Sequence, residues 1–124
     1  MKFDLNKNCE NFHYVPKGWG GEIWIVNNDL YCGKILHFNA GKMLSWHYHK
    51  IKTETFYVQK GRIKLIYGWD EDIDKENEII LGPDSSFDIP VGLIHRVIAL
   101  EESYVYEFST KHMDEDSYRI LKGD

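Results

Sequence analysis

The sequence predicts an all-β fold, a sandwich or barrel, on three observations. Turn signals recur about every ten residues, at Gly20-Gly21, Asn27-Asn28-Asp29, Asn39-Ala40-Gly41, Lys60-Gly61, Gly82-Pro83-Asp84 and Pro90-Val91-Gly92. The runs between them are short and rich in Ile, Val, Tyr, Phe and Trp, side chains that suit a pleated surface. No helical apolar periodicity appears before the C-terminal segment.

In chain order, strands are expected near Gly21–Asn27, Leu30–Asn39, Met43–His49, Glu54–Gln59, Arg62–Trp69, Asn77–Leu81, Ser86–Ile89, Leu93–Leu100 and Ser103–Thr110. The acidic stretch Trp69–Glu78 lacks the ligand spacing and central glycine of a calcium-binding loop, so it reads as solvated. Met113–Leu121 is expected to form a short C-terminal helical segment, with Asp114, Glu115 and Asp116 at the positive end of its dipole.

A chain of 124 residues fits one domain, 1–124, and 43% hydrophobic content suffices for one core. The net charge is -5 and the lysines and arginines are scattered, which disfavours nucleic acid as a partner. Cys9 and Cys32 lie far apart and outside any Cys-x-x-Cys pair, so neither a disulfide framework nor a cysteine zinc site is expected. The N-terminus MKFDLNKNCENF is too polar for a signal peptide. No apolar run approaches the roughly 20 residues that cross a bilayer, so no membrane role and a cytoplasmic location are expected.

The chemistry centres on His47, His49, Glu54 and His95. Strand side chains alternate, so His47 and His49 share a face, and two imidazoles so placed can hold one metal. Glu54 opens the next strand with apolar face-mates Phe56 and Val58, which places it inward, where an unpaired carboxylate is costly. A metal would satisfy it. Three nitrogens and one oxygen suit one divalent ion, with Zn, Fe, Mn, Ni and Co all admissible. His13, His37 and His112 read as non-ligands, His112 alone reaching the pocket mouth.

The run from Gly41 through His47, His49 and Glu54 to Gly61 matches the first cupin motif, G-x5-H-x-H-x4-E-x6-G, at every fixed position. Pro90, Gly92 and His95 match P-x-G-x2-H of the second motif. That motif's upstream glycine is displaced, Gly82 standing seven residues before Pro90 rather than five, and Ala99 replaces its final Asn. The chain therefore resembles the cupins over about Gly18–Thr110, which implies a double-stranded β-helix (jelly-roll) barrel core there.

Two further segments resemble the cupin domain of type II phosphomannose isomerases. Lys17-Gly18-Trp19-Gly20-Gly21-Glu22 is similar to their [R/K]-P-W-G-x-E opening, with Gly18 in place of Pro. Glu107–Thr110 followed by Asp114–Arg119 is similar to their close, with about two fewer residues between the Glu and the Arg. Leu44-Ser45-Trp46-His47 resembles their L-S-L-Q-x-H in a shorter form, with fewer residues before the histidine. The closing Arg is a proposed catalytic residue in that family, and Arg119 is its match. Lys17–Glu22 also reads as turn chemistry with Trp19 as a lid, and Asp114–Arg119 as a surface helix.

An aldose–ketose isomerase needs a metal to polarise a carbonyl and a base to carry a proton between two carbons. Glu107 is the candidate base. Alternation leaves two readings open, Glu107 inward with Val105 and Ser109, or Tyr104, Tyr106 and Phe108 inward instead. Arg119, Lys52 and Arg96 are cations suited to an anionic substrate, although Lys52 reads as a loop charge and Arg96 as facing away from His95. The expected partner is a small molecule, a sugar or sugar phosphate. An iron-dependent dioxygenase and a non-catalytic carbohydrate-binding module remain open. Trp24, Trp46 and Tyr48 exceed one small interior, and with several strand edges they suggest a homodimer.

Overall fold

The computed structural model describes residues 13–124, so Cys9 and the polar N-terminal segment lie outside the described residues. It contains eleven strands: β1 (His13–Lys17), β2 (Gly20–Asn27), β3 (Cys32–Phe38), β4 (Trp46–Tyr48), β5 (Glu54–Lys60), β6 (Ile63–Gly68), β7 (Asn77–Leu81), β8 (Ser86–Ile89), β9 (Ile94–Ala99), β10 (Ser103–Ser109) and β11 (Tyr118–Leu121). One antiparallel sheet runs β1-β2-β3-β10-β5-β8 and the other β11-β4-β9-β6-β7. This is the expected all-β jelly roll. Among the described residues no helix is long and apolar enough to cross a membrane.

The period-two pattern of each strand builds the core. On β5, Glu54, Phe56 and Val58 are buried while Thr55 and Tyr57 are only half-buried. Leu36, Phe38 and Val105 add to the first sheet's inner face, and Ile63, Leu65, Val97 and Ala99 cover it from the second. Burying one such Val, Leu, Ile or Phe contributes about 1.5–3 kcal/mol.

The strand expected over Met43–His49 is shorter. Met43 makes only an isolated bridge to Ile98, and β4 proper is Trp46–Tyr48. The expected C-terminal helical segment reduces to one 3-10 turn, Asp114–Asp116. The chain then extends as β11, pairing Tyr118 with Tyr48 and Arg119 with His47. An unpaired β4 edge would leave backbone donors unsatisfied, and those pairs outweigh helix formation in so short a segment. The Trp69–Glu78 loop is mostly exposed and holds a 3-10 turn, Ile73–Lys75, whose N-cap Asp72 accepts from the Asp74 amide at 3.1 Å.

Trp46 needs no interface. It is fully buried and its indole N–H donates to the Glu71 carbonyl at 2.9 Å. Tyr48 stacks on Tyr118 at 5.2 Å. Gly92, with φ 85°, closes the turn before β9, and its amide donates to the His49 carbonyl at 2.8 Å. The left-handed conformation there favours glycine.

Candidate metal centre

His47 on β4 sits directly opposite His95 on β9. His49 follows the end of β4, and Glu54 opens β5 on the facing sheet. The three imidazoles converge, with one ring nitrogen of each lying within 4.8 Å of the others. All three and Glu54 are buried.

The hydrogen bonds set the tautomers. His47 Nδ1 lies 2.9 Å from the Ser45 carbonyl, His49 Nδ1 2.8 Å from the Asp116 carbonyl and His95 Nδ1 3.0 Å from the Leu93 carbonyl. A carbonyl only accepts, so each Nδ1 carries the hydrogen and each Nε2 presents a lone pair to the centre. Glu54 Oε1 stands 3.0 Å from His49 Nε2 and 3.2 Å from His95 Nε2. In these tautomers neither nitrogen has a proton to give. Glu54 Oε1 and His95 Nε2 are buried and lack a hydrogen-bond partner. Facing lone pairs without a cation are costly, so the donor set fits a divalent ion.

The charges agree. Burial and the two neighbouring imidazoles push His47 well below the ordinary histidine range. Burial disfavours a charge on His49 too, but Glu54 outweighs it and raises that histidine. Burial likewise opposes ionisation of Glu54, and His49, His95 and Lys52 overcome it, holding the carboxyl well below its usual range.

A second buried group adjoins the ligands. Lys52 Nζ lies 3.0 Å from Glu107 Oε2 and 3.6 Å from Glu54 Oε2. Lys52 is only 3% exposed, not the loop charge its position between turn residues suggests. Two inward carboxylates draw the ammonium in. They raise it above the ordinary lysine value although burial opposes the charge. The inward reading of Glu107 holds: it is 5% exposed beside fully buried Val105, while Phe108 on the other face is 55% exposed. Burial raises the Glu107 carboxyl, Glu54 adds to the effect, and Lys52 only partly offsets it.

His47, His49, Glu54, Lys52 and Glu107 line a cavity of about 480 Å³, with Trp19, Trp24, Lys34 and Arg119 among its walls. Arg119, opposite His47 in register, makes no ion pair among the described residues. Arg96 faces away from the ligands, donating to the Leu44 carbonyl at 2.9 Å and the Lys122 carbonyl at 2.7 Å. Trp19 is a buried wall residue stacked on Phe38 at 4.6 Å. His13 packs edge-on to Trp24 and His37 stacks on Tyr104, both apart from the ligands. His112 does reach the cavity, its Nδ1 lying 3.2 Å from Lys52 Nζ and its Nε2 2.9 Å from Asp114 Oδ1.

Residues 34–108 match the model of the cupin domain, a span that takes in His47, His49, Glu54, His95 and Glu107. The chain belongs to the cupin family. No curated protein sequence matches this cupin. Among solved structures, its fold is similar to the capsular polysaccharide assembling protein CapF from Staphylococcus aureus, at 20% identity and TM-score 0.79, over 91% of this chain and 33% of that one. It is also similar to KdgF from Halomonas sp., at 17% identity and TM-score 0.71, over 93% of this chain and 98% of that one. Oxalate decarboxylase from Bacillus subtilis matches at 16% identity and TM-score 0.74, over 87% of this chain and 30% of that one. The cupin thus spans about a third of the length of the staphylococcal protein and of the decarboxylase.

Proposed function

We propose that this cupin is a metal-dependent enzyme acting on a carbohydrate, a sugar or sugar-phosphate aldose–ketose isomerase. The observation that carries the reading is the buried Lys52–Glu107 pair, which sets a proton-transfer group beside His47, His49 and Glu54 in one cavity. A divalent ion held by His47, His49, Glu54 and His95 would supply Lewis-acid polarisation of a carbonyl or its neighbouring hydroxyl. Glu107 takes the proton from the carbon beside that carbonyl and returns it to the adjacent carbon. Burial raises its carboxyl, which makes the carboxylate a stronger base. Lys52 keeps it ionised and fixes its direction. Arg119 brings an uncompensated positive charge to the cavity wall, suited to a developing oxyanion or a phosphate.

The resemblance of Lys17–Glu22 and Asp114–Arg119 to type II phosphomannose isomerases supports the sugar substrate. Gly18, where that family has Pro, has a packing reason: a Cβ there would meet the main chain of Asp124 at 2.5 Å. CapF, a capsular polysaccharide assembling protein by name, points to carbohydrate as well.

The test is to load the protein with Zn, Fe, Mn, Ni or Co. Each form is then incubated with aldoses, ketoses and their phosphates in heavy water and followed by NMR. Isomer formation with deuterium entering the carbon beside the carbonyl is expected. No exchange with any metal form, or oxygen uptake by the iron form, would overturn the isomerase reading. The proposal includes a homodimer, supported by exposed Leu30, Tyr31 and Phe108 and by the unpaired edges of β1, β7, β8 and β11. A monomeric mass across micromolar concentrations would remove it.

A further inference from the structure

Asp116 is an aspartate, yet it is 3% exposed and forms no ion pair among the described residues. Its carboxylate instead takes the backbone of the turn between the ligands. Oδ1 accepts from the amides of Lys50 at 2.9 Å and Ile51 at 3.2 Å. Oδ2 accepts from Ile51 at 3.3 Å and Lys52 at 2.9 Å. Three consecutive donors, which no strand partner reaches, are satisfied by one side chain. The same residue's main-chain carbonyl accepts from His49 Nδ1 at 2.8 Å. Asp116 therefore grips the turn from both sides, holding the His49 ring at one end and the Lys52 backbone at the other. It belongs to the 3-10 turn that leads into β11, the strand carrying Arg119.

We propose that Asp116 is a positioning residue for the metal centre, clamping the His49 imidazole and the Lys50–Lys52 turn to the segment that carries Arg119. The proposal rests on the reading that His47, His49 and His95 hold the metal, and the test separates the two. Nothing in the first ligand sphere changes when Asp116 is altered, so any effect on the metal travels through orientation. Asp116→Ala keeps the carbonyl that His49 uses but releases the turn that fixes where that carbonyl stands. Loosening the orientation of a metal-ligating histidine typically weakens metal binding by about 10–100-fold. Coupling is reciprocal, so metal binding should in turn tighten the grip on the turn.

The probe is Co²⁺, added to the metal-free full chain and to the Asp116→Ala, Asp116→Asn and His49→Ala variants. Affinity, the visible Co²⁺ spectrum and amide exchange at residues 50–52 are read, with thermal unfolding of the metal-free proteins as a folding control. In the wild-type protein, Co²⁺ should slow exchange at residues 50–52. Asp116→Ala should bind Co²⁺ about 10–100-fold more weakly, shift the visible bands and lose that protection. Asp116→Asn keeps one accepting oxygen and should fall between the two. If Asp116→Ala does not fold, Asp116→Asn decides alone. Wild-type Co²⁺ affinity and spectrum in the folded variants, whatever their melting temperature, would overturn the positioning role. Wild-type affinity in His49→Ala would instead overturn the metal site itself.

Discussion

Lys52→Met replaces an ammonium with an apolar group of similar length and leaves the Glu107 carboxyl at 5% exposure without its partner at 3.0 Å. Removing one member of a buried pair typically costs about 3–5 kcal/mol. Here the cost has a ceiling, because Glu107 can take up a proton instead of remaining charged. Neutralising a carboxyl of ordinary pKa near 4.3 costs about 3.7 kcal/mol at pH 7 and about 1 kcal/mol at pH 5. Glu107 is already raised in the wild-type protein by burial and by Glu54, and losing Lys52 raises it further. A folded-state pKa above the unfolded one favours folding at low pH, and that advantage is lost as pH rises through the folded value. Part of that cost is already present in the wild-type protein, so the destabilisation should stay below about 3.7 kcal/mol at pH 7 and below about 1 kcal/mol at pH 5. Urea unfolding of both chelator-treated proteins at the two pH values measures it. Adding Glu107→Gln to Lys52→Met should recover most of the loss at pH 7. Equal destabilisation at pH 5 and pH 7, with no recovery in the double variant, would refute the charge reasoning and leave only lost packing.

Three other outcomes are expected. His49→Ala should lose most bound metal by elemental analysis, whereas His13→Ala, altered on β1 away from the ligands, should keep it. With a confirmed sugar substrate, Glu107→Gln and Arg119→Ala should each slow turnover about 10²-fold or more at unchanged metal content, and normal rates in both would sink the mechanism. His112 is lowered by burial first and then by Lys34 and Lys52. It should titrate by NMR below the ordinary histidine value and contribute stability above about pH 6.5 that is lost as pH falls through its folded pKa. In Lys52→Met its midpoint should rise, and an unchanged midpoint would mean the ammonium does not act on it.

His47 and His49 are legible because they stand two residues apart, where alternation places both on one face, and His95 is legible through the Pro90–His95 motif. Glu54 is legible by alternation too, through its neighbours Phe56 and Val58. Lys52 is not. Its burial depends on Glu107, 55 residues away, and nothing near Lys52 in the chain signals a second inward acid. The same applies to Asp116, which lies 64 to 66 residues from the amides that it caps. β1 is five residues, three of them His, Pro and Lys, and it takes its strand character from β2 alongside. β11 reads as helix in the sequence because three acids suggest a helix start, whereas the open edge of β4 is visible only once the sheet is assembled. Trp46 is one of three aromatics that read as too many for one interior, and its polar partner, the Glu71 carbonyl, belongs to a loop that looks solvent-facing.

All three ligand histidines take their orientation from main-chain carbonyls, those of Ser45, Leu93 and Asp116. Replacing a side chain leaves its carbonyl in place. An alanine scan of the surroundings would therefore pass over the Ser45 and Leu93 acceptors, and would reach the Asp116 carbonyl only through loss of the carboxylate that holds its turn. The imidazoles are tuned by backbone shape, so insertions or proline substitutions near residues 45, 93 and 116 are the changes able to retune them. A designer moving this ligand set to another barrel would need to carry three stretches of backbone along with the four side chains.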